Sequence, residues 1–167
     1  RAGVPDTSRI NVVMEEDGSS RLCGDALPPT SAVSSFTYTY RFTNSTECYD
    51  MQQDWNACYE LNMTWTWPAN EEDGGVTWNI YRMDVEPSQI DLRFATPLVT
   101  GLVGIQGEQG TFDQSGLEVD GIRPMRTYYY VLAPVDSKGN ENTFELPSDN
   151  ILRVKIEDQW WDYNQHL

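Results

Sequence analysis

The segment from Tyr59 to Trp67 alternates strictly between large apolar and polar side chains over nine residues. Its apolar members are every second residue, namely Tyr59, Leu61, Met63, Trp65 and Trp67. Side chains of a β-strand point alternately to opposite faces, so this strand has one face to bury and one to solvate. The pattern therefore predicts a strand that covers a hydrophobic core, with Asn62 on its polar face.

Other segments repeat this period of two, and none repeats apolar residues with a helical period. The run Pro68–Gly75 and the run Ser137–Asn142 carry the Gly, Asn and Asp residues that favour turns. We expect seven or eight short strands, which predicts an all-β, two-sheet antiparallel sandwich. The further expected strands are Ile10–Met14, Phe36–Phe42, Val76–Tyr81, Leu98–Val103, Thr111–Leu117, Thr127–Asp136 and Leu152–Ile156.

The charge of the chain limits its partners. Its net charge is −15, from 26 acidic and 11 basic residues, and only Lys138 and Lys155 are lysines. Such a surface repels nucleic acid and anionic membrane faces, so neither is an expected partner. No apolar stretch reaches the roughly 18 residues that a membrane helix needs, so we expect no direct membrane insertion.

Two kinds of residue favour an extracellular location. The three cysteines, Cys23, Cys48 and Cys58, all lie within the first 58 residues of the chain, and three thiols allow one disulfide. Asn44 and Asn62 each begin an Asn-x-Ser/Thr sequence, which makes them candidate glycosylation sites. Together with the acidity, these residues favour a secreted or cell-surface glycoprotein.

Four segments together resemble fibronectin type III domains. Leu61–Pro68 is similar to the second strand of that family, in which a core Trp precedes a Pro by three positions, and Trp78–Arg82 is similar to the third strand. Ile122–Tyr128 resembles the leucine-x-proline-x-x-x-tyrosine motif, and Ala133–Asn142 resembles the last turn of microbial members. The resemblance implies an immunoglobulin-like sandwich with Trp65 and Trp78 in its core. Tyr128 would be the tyrosine corner, whose hydroxyl binds the preceding backbone.

The resemblance also implies one departure from the family. A single domain would span about 1–158, with its first strand at about 9–14, its other strands within 58–156, and a tail or linker at 159–167. An insertion at about 17–57 would then separate the first two strands and pack on the outside of the sandwich. We expect one disulfide to hold this insertion in place. Cys48–Cys58 is preferred slightly because it closes a short loop, and Cys23–Cys58 and Cys23–Cys48 stay open.

Catalysis is not expected. The only histidine, His166, is the penultimate residue of a tail without a strand pattern, which is a poor position for a general base. The acidic runs lie in predicted turns, where solvated charge is the simpler interpretation. Asp136, Asn140 and Asn142 are weak candidate ligands for calcium, which prefers oxygen donors from loops, and we expect no other metal or cofactor.

The expected function is binding to a partner molecule. Trp67, Trp160 and Trp161 are candidate partner-contact residues, because exposed Trp side chains mark binding surfaces. The first hypothesis is a non-catalytic structural or adhesion module of a cell-surface or secreted protein, such as a subunit of a surface layer or filament, with a protein partner or self-association. The alternative is a carbohydrate-binding accessory domain of an extracellular hydrolase, with a glycan as ligand.

Overall fold

The computed structural model describes residues 12–14, 20–22, 27–42, 59–69, 76–87, 92–116 and 121–157 of the chain. Short 3-10 turns lie at Leu92–Phe94 and Ser148–Asn150. Within those ranges the regular structure is otherwise β-strand, in nine segments. These are β1 (Val12–Met14), β2 (Ser20–Leu22), β3 (Ser34–Phe42), β4 (Tyr59–Thr66), β5 (Val76–Met83), β6 (Val99–Val103), β7 (Gln109–Ser115), β8 (Thr127–Asp136) and β9 (Ile151–Lys155).

The strands form antiparallel sheets. One has three strands in the order β3-β4-β7, and another has four strands in the order β6-β5-β8-β9. The pair β1–β2 forms a separate two-stranded sheet. The larger two sheets pack face to face as a β-sandwich, which confirms the predicted all-β fold class.

The core lies between these two sheets. Strand β4 buries every second residue from Tyr59 onwards, as its alternation predicts. Trp67 packs on Trp65 from its own sheet and on Trp78 from the facing sheet, with ring centroids 5.3 Å apart in each pair. Aromatic side chains bury large areas, so these three indoles contribute much of the hydrophobic free energy.

The four-stranded sheet is also covered on its outer face. Tyr81, Met83, Val131 and Ala133 point outward from β5 and β8 and are buried against Leu92 of the first 3-10 turn. The backbone N–H of Leu92 donates to the carbonyl of Thr143 at 3.3 Å, so two loops close over this face together. This explains why β8 is buried on both sides and reads as a nearly continuous apolar run.

The first strand of the sandwich differs from the expectation. Ser34–Phe42, which we had placed in the insertion, pairs with β4 along its length and is the outer strand of the three-stranded sheet. Val12–Met14, expected to open the sandwich, pairs with Ser20–Leu22. The physical reason lies in the side chains of β3, because Phe36, Tyr38 and Tyr40 alternate and pack against the core. The domain limits and the role of the rest of 17–57 stay predictions.

Candidate functional site

The three expected core markers lie inside the sandwich. Trp65, Trp78 and Tyr128 are all buried. The Tyr128 hydroxyl accepts a hydrogen bond from the backbone N–H of Arg123 at 2.8 Å, five residues earlier in the chain. That bond fixes the connection that crosses from β7 to β8, which is the role of a tyrosine corner.

Trp67 does not lie where a contact residue would. Only 6% of its surface is exposed, and its ring packs between Trp65 and Trp78. The cause is local: β4 ends at Thr66, but the Trp67 N–H still donates to the carbonyl of Glu108 at 2.8 Å. Alternation therefore continues one residue beyond the strand and directs Trp67 into the core, contrary to the expectation that it is exposed.

The weak calcium candidates have structural roles. The Asp136 carboxylate accepts hydrogen bonds from the N–H groups of Lys138 and Asn140 and from the Asn140 side chain, at 2.9 to 3.0 Å. Burial, which raises the pKa of Asp136, is outweighed by these bonds and by the Lys138 charge, so its pKa lies below the ordinary value. Calcium would have to displace these donors.

Asn142 is used in a different way. Its buried side chain donates to the carbonyls of Pro29 and Glu145 at 3.0 Å, and its oxygen accepts from the Glu145 N–H at 3.1 Å. In the described ranges, no group of three or more His, Cys, Asp or Glu side chains could hold one metal ion.

The other named candidates, Cys23, Cys48, Cys58, Asn44, Trp160 and Trp161, lie outside the described residues. The expected disulfide, the first glycosylation site and the Trp-Trp contact strip therefore stay predictions. The described ranges also contain no helix long and apolar enough to cross a membrane.

Asn62 lies on the exposed, polar face of the three-stranded sheet. Its side-chain N–H₂ donates to Thr111 at 3.2 Å and also to Asp113 on the neighbouring strand. A groove of about 410 Å³ borders it, lined in part by Thr39 and Arg41. An attached glycan would replace one of the two amide hydrogens, so at least one of these hydrogen bonds would be lost.

At one edge of the sandwich, hydrogen bonds join the two sheets. This closed edge consists of β3, β9 and the segment 27–33. The buried Asn150 side chain donates to the carbonyl of Ser31 at 3.0 Å and accepts from the N–H of Val33 at 2.9 Å. Further along, the Tyr38 hydroxyl meets the backbone of Lys155 at 3.4 Å, and the Tyr40 hydroxyl accepts from the N–H of Glu157 at 3.2 Å.

The opposite edge is joined across the sheets near the Ser115 end of β7, where the buried Gln114 side chain accepts from the Tyr130 hydroxyl and, at 3.4 Å, from Arg82. Its other end, beside the loop between β6 and β7, is exposed. This open edge consists of β6, β7 and the loop 104–108 that joins them. Val103 and Ile105 are 71% and 69% exposed. A groove of about 230 Å³ enters between the two sheets here, and Trp65, Trp67, Leu102, Ile105, Glu108 and Gly110 are among its lining residues.

A second exposed apolar surface lies on the outer layer of the four-stranded sheet. Phe94 and Phe144 are 87% and 75% exposed. They follow Leu92 and Thr143, whose backbones are hydrogen-bonded to each other, so the two rings stand on adjoining loops. Beneath them the Tyr81 hydroxyl donates to Glu141 at 2.6 Å, and burial and this carboxylate raise the pKa of Tyr81.

Comparison with family models, curated proteins and solved structures finds no match to this chain. Its function is therefore inferred from its own residues. Sequence reasoning missed both exposed surfaces, because single apolar residues at the end of a strand, such as Val103, or in a loop or 3-10 turn, such as Ile105 and Phe94, carry no pattern. The one signal for the open edge is the glycine at every third position from Gly101 to Gly110, since glycines in strands mark breaks and close approaches of the backbone.

Proposed function

We propose that this chain is a non-catalytic, extracellular contact module of the fibronectin type III type within a cell-surface or secreted protein. Strand order supports the family assignment. If β3 to β9 are taken in order as successive strands, the first, second and fifth share one sheet, and the third, fourth, sixth and seventh share the other, with the fourth beside the third. Immunoglobulin-like sandwiches divide strands A, B and E from C, F and G in this way.

The observation that carries the contact role is the difference between the two edges. The closed edge uses buried asparagines and tyrosine hydroxyls to join segments about 120 positions apart, as in the Ser31–Asn150 bond with its separation of 119. The open edge instead exposes apolar side chains beside a groove. Exposed apolar groups next to unpaired strands mark interaction surfaces, because they are costly to leave in water.

Two assays test this proposal. The whole chain is incubated with polysaccharide, peptide and ester substrates, with and without added calcium, and we expect no turnover. It is also applied to a glycan array, and we expect no binding. Turnover that survives repurification and disappears on substitution of a described carboxylate would contradict the proposal.

The carbohydrate-binding alternative has one observation in its favour, which is the exposed pair Phe94 and Phe144. Aromatic rings in such positions can stack on sugar rings. Trp67 and Trp78 do not serve this purpose, because both are buried. On the glycan array, Phe94→Ala and Phe144→Ala are the informative variants, and Met125→Ala, which changes an exposed apolar residue elsewhere, is the control. Sugar binding lost only in the Phe variants would favour this alternative.

A further inference from the structure

The two strands of the open edge are not equivalent. In β6 the pairing with β5 shifts register between Trp78 and Ile80, and Gly101 has a left-handed φ of 68°. The Gly101 N–H also donates to the Asn79 side chain at 3.0 Å, so β6 is bulged and partly satisfied. Bulges of this kind protect edges against pairing. Strand β7 instead keeps continuous register with β4 over all seven residues.

The hydrogen bonds to β4 show which groups of β7 face outward. The N–H of Gly116 donates to the Tyr59 carbonyl and the N–H of Trp67 donates to the Glu108 carbonyl, both at 2.8 Å. Bonded and non-bonded pairs alternate along an antiparallel ladder. The N–H and C=O groups of Gln109, Thr111 and Asp113 therefore point away from β4, and no strand in the described ranges pairs with that side of β7.

A second observation lies at the middle of this edge. Trp65 is paired with Gly110, and a Cβ at Gly110 would overlap the indole, so the indole lies over β7 where that strand has no side chain. The Trp65 Nε1 is buried, lacks a hydrogen-bond partner among the described residues, and belongs to a side chain that lines the groove. An unpaired buried donor costs about 1–3 kcal/mol.

We propose that β7 receives an extended, basic segment of a partner protein, which adds as a further strand and places an apolar side chain in the groove beside Gly110. The open backbone groups of Gln109, Thr111 and Asp113 form the ladder with this segment. The segment also supplies an acceptor to the Trp65 Nε1 and covers the exposed surface of Ile105. This inference rests on the proposed contact function and names its partner.

Alternation dictates which side chains of the added strand point inward. Residues opposite Gly110 and Phe112 face the interior of the sandwich, and residues opposite Gln109, Thr111 and Asp113 face solvent. The segment is therefore apolar at the inward positions. It is polar or basic at the outward positions, where it meets the carboxylate of Asp113.

Charge decides between a different protein and a second copy of this chain. Each copy carries a net charge of −15, so pairing two copies through β7 would bring acidic surfaces together. Glu108 and Asp113 lie at this edge. A basic segment is attracted to the same surface, and the attraction raises its association rate and weakens with salt.

The test uses the full chain and synthetic peptides of about seven residues, the length of β7. One peptide alternates Val with Lys, and its charge-reversed twin alternates Val with Glu. Fluorescence anisotropy should show saturable binding of the Lys peptide, weaker binding as sodium chloride rises, and no binding of the Glu twin.

Two pairs of variants locate the binding. Thr111→Pro removes one outward N–H and should weaken binding at least about tenfold, whereas Thr111→Ala keeps that N–H and should not. Ile105→Ser should weaken binding about threefold to tenfold through lost apolar contact. Its control, Leu27→Ser, changes a residue of similar exposure, 66% against 69%, and should have no effect. Circular dichroism checks that each variant is folded.

Three results would overturn this inference. They are unchanged binding in folded Thr111→Pro and Ile105→Ser, equal binding of the Glu twin, and absence of binding by the Lys peptide. Self-association of the chain that Thr111→Pro abolishes would also reject it, because a second copy would then occupy β7. None of these results produces substrate turnover, so failure here is distinct from failure of the non-catalytic function.

Discussion

The two edges of this sandwich differ in how the gap between the two sheets is closed. Each edge brings together the last strands of two sheets, where backbone groups lack a neighbour and the core is closest to solvent. At the closed edge, Asn150 and the hydroxyls of Tyr38 and Tyr40 bond to backbone groups across the gap. At the open edge, glycine and exposed apolar side chains border a groove instead. Cross-sheet hydrogen bonds therefore run along the closed edge, whereas the part of the open edge beside the loop 104–108 exposes apolar side chains.

The largest effect on stability is expected from a substitution that removes hydrogen bonds of the closed edge. Asn150→Ala leaves the Ser31 carbonyl and the Val33 N–H buried without their partner, so we expect a loss of about 2–4 kcal/mol in the free energy of unfolding. Gln109→Ala, at an exposed position of the open edge, should change it by less than about 0.5 kcal/mol. Urea denaturation followed by circular dichroism measures both. Equal losses would remove the energetic distinction between the edges.

The next effect concerns the tyrosine hydroxyls of the closed edge. The double variant Tyr38→Phe/Tyr40→Phe keeps both rings and removes the bonds to Lys155 and Glu157. We expect a loss of about 1 kcal/mol, since these bonds are long or exposed. Amide exchange at 155 and 157 should quicken. Thr100→Ala, which removes an exposed hydroxyl from β6, is the control and should leave both quantities unchanged.

A smaller effect depends on pH and belongs to the turn that follows β8. The pKa of Asp136 lies below its ordinary value of 3.8, because the folded state stabilises the carboxylate through Asn140 and Lys138. The stabilisation is therefore complete above pH 3.8 and is lost as the pH falls through the lower folded pKa. Asp136→Asn should flatten this part of the curve of unfolding free energy against pH. An unchanged acid limb would show that the carboxylate adds nothing to the stability of this turn.

The smallest effect on stability is expected from a substitution at the open edge. Ile105→Ser changes an exposed apolar residue of the open edge, so the free energy of unfolding should move by less than about 0.5 kcal/mol. Thermal denaturation measures it. A loss comparable to that of Asn150→Ala would mean that Ile105 supports the fold and is not held for contact.

Much of the fold could be predicted because alternation is local. Tyr59 to Trp67 shows its buried face in the sequence, and Tyr128 lies at a fixed spacing from Pro124 that anticipates its bond to Arg123. The assignment of Phe36–Phe42 to an insertion failed for a different reason. A strand pattern gives no information about which other strand it pairs with, and Ser34–Phe42 proves to be the neighbour of β4.

The candidate site was less predictable because it depends on pairing between distant segments. The exposure of Val103 and Ile105 follows from which strands lie at the edges of their sheets. The role of Asn150 follows from its approach to Ser31 and Val33, at sequence separations of 119 and 117. Trp67 shows the converse error, since it was expected to be an exposed contact residue, whereas continued pairing with Glu108 directs it inward.

The most direct test of the difference between the edges is amide hydrogen exchange of the whole chain, with and without the alternating Val-Lys peptide. Without peptide, the amides of Gln109, Thr111 and Asp113 should exchange quickly, while Val33 at the closed edge is protected by Asn150. With peptide, those three amides should become protected and Val33 should not change. Slow exchange at β7 in the free chain, or protection by the peptide that appears elsewhere, would contradict an open edge that receives a strand.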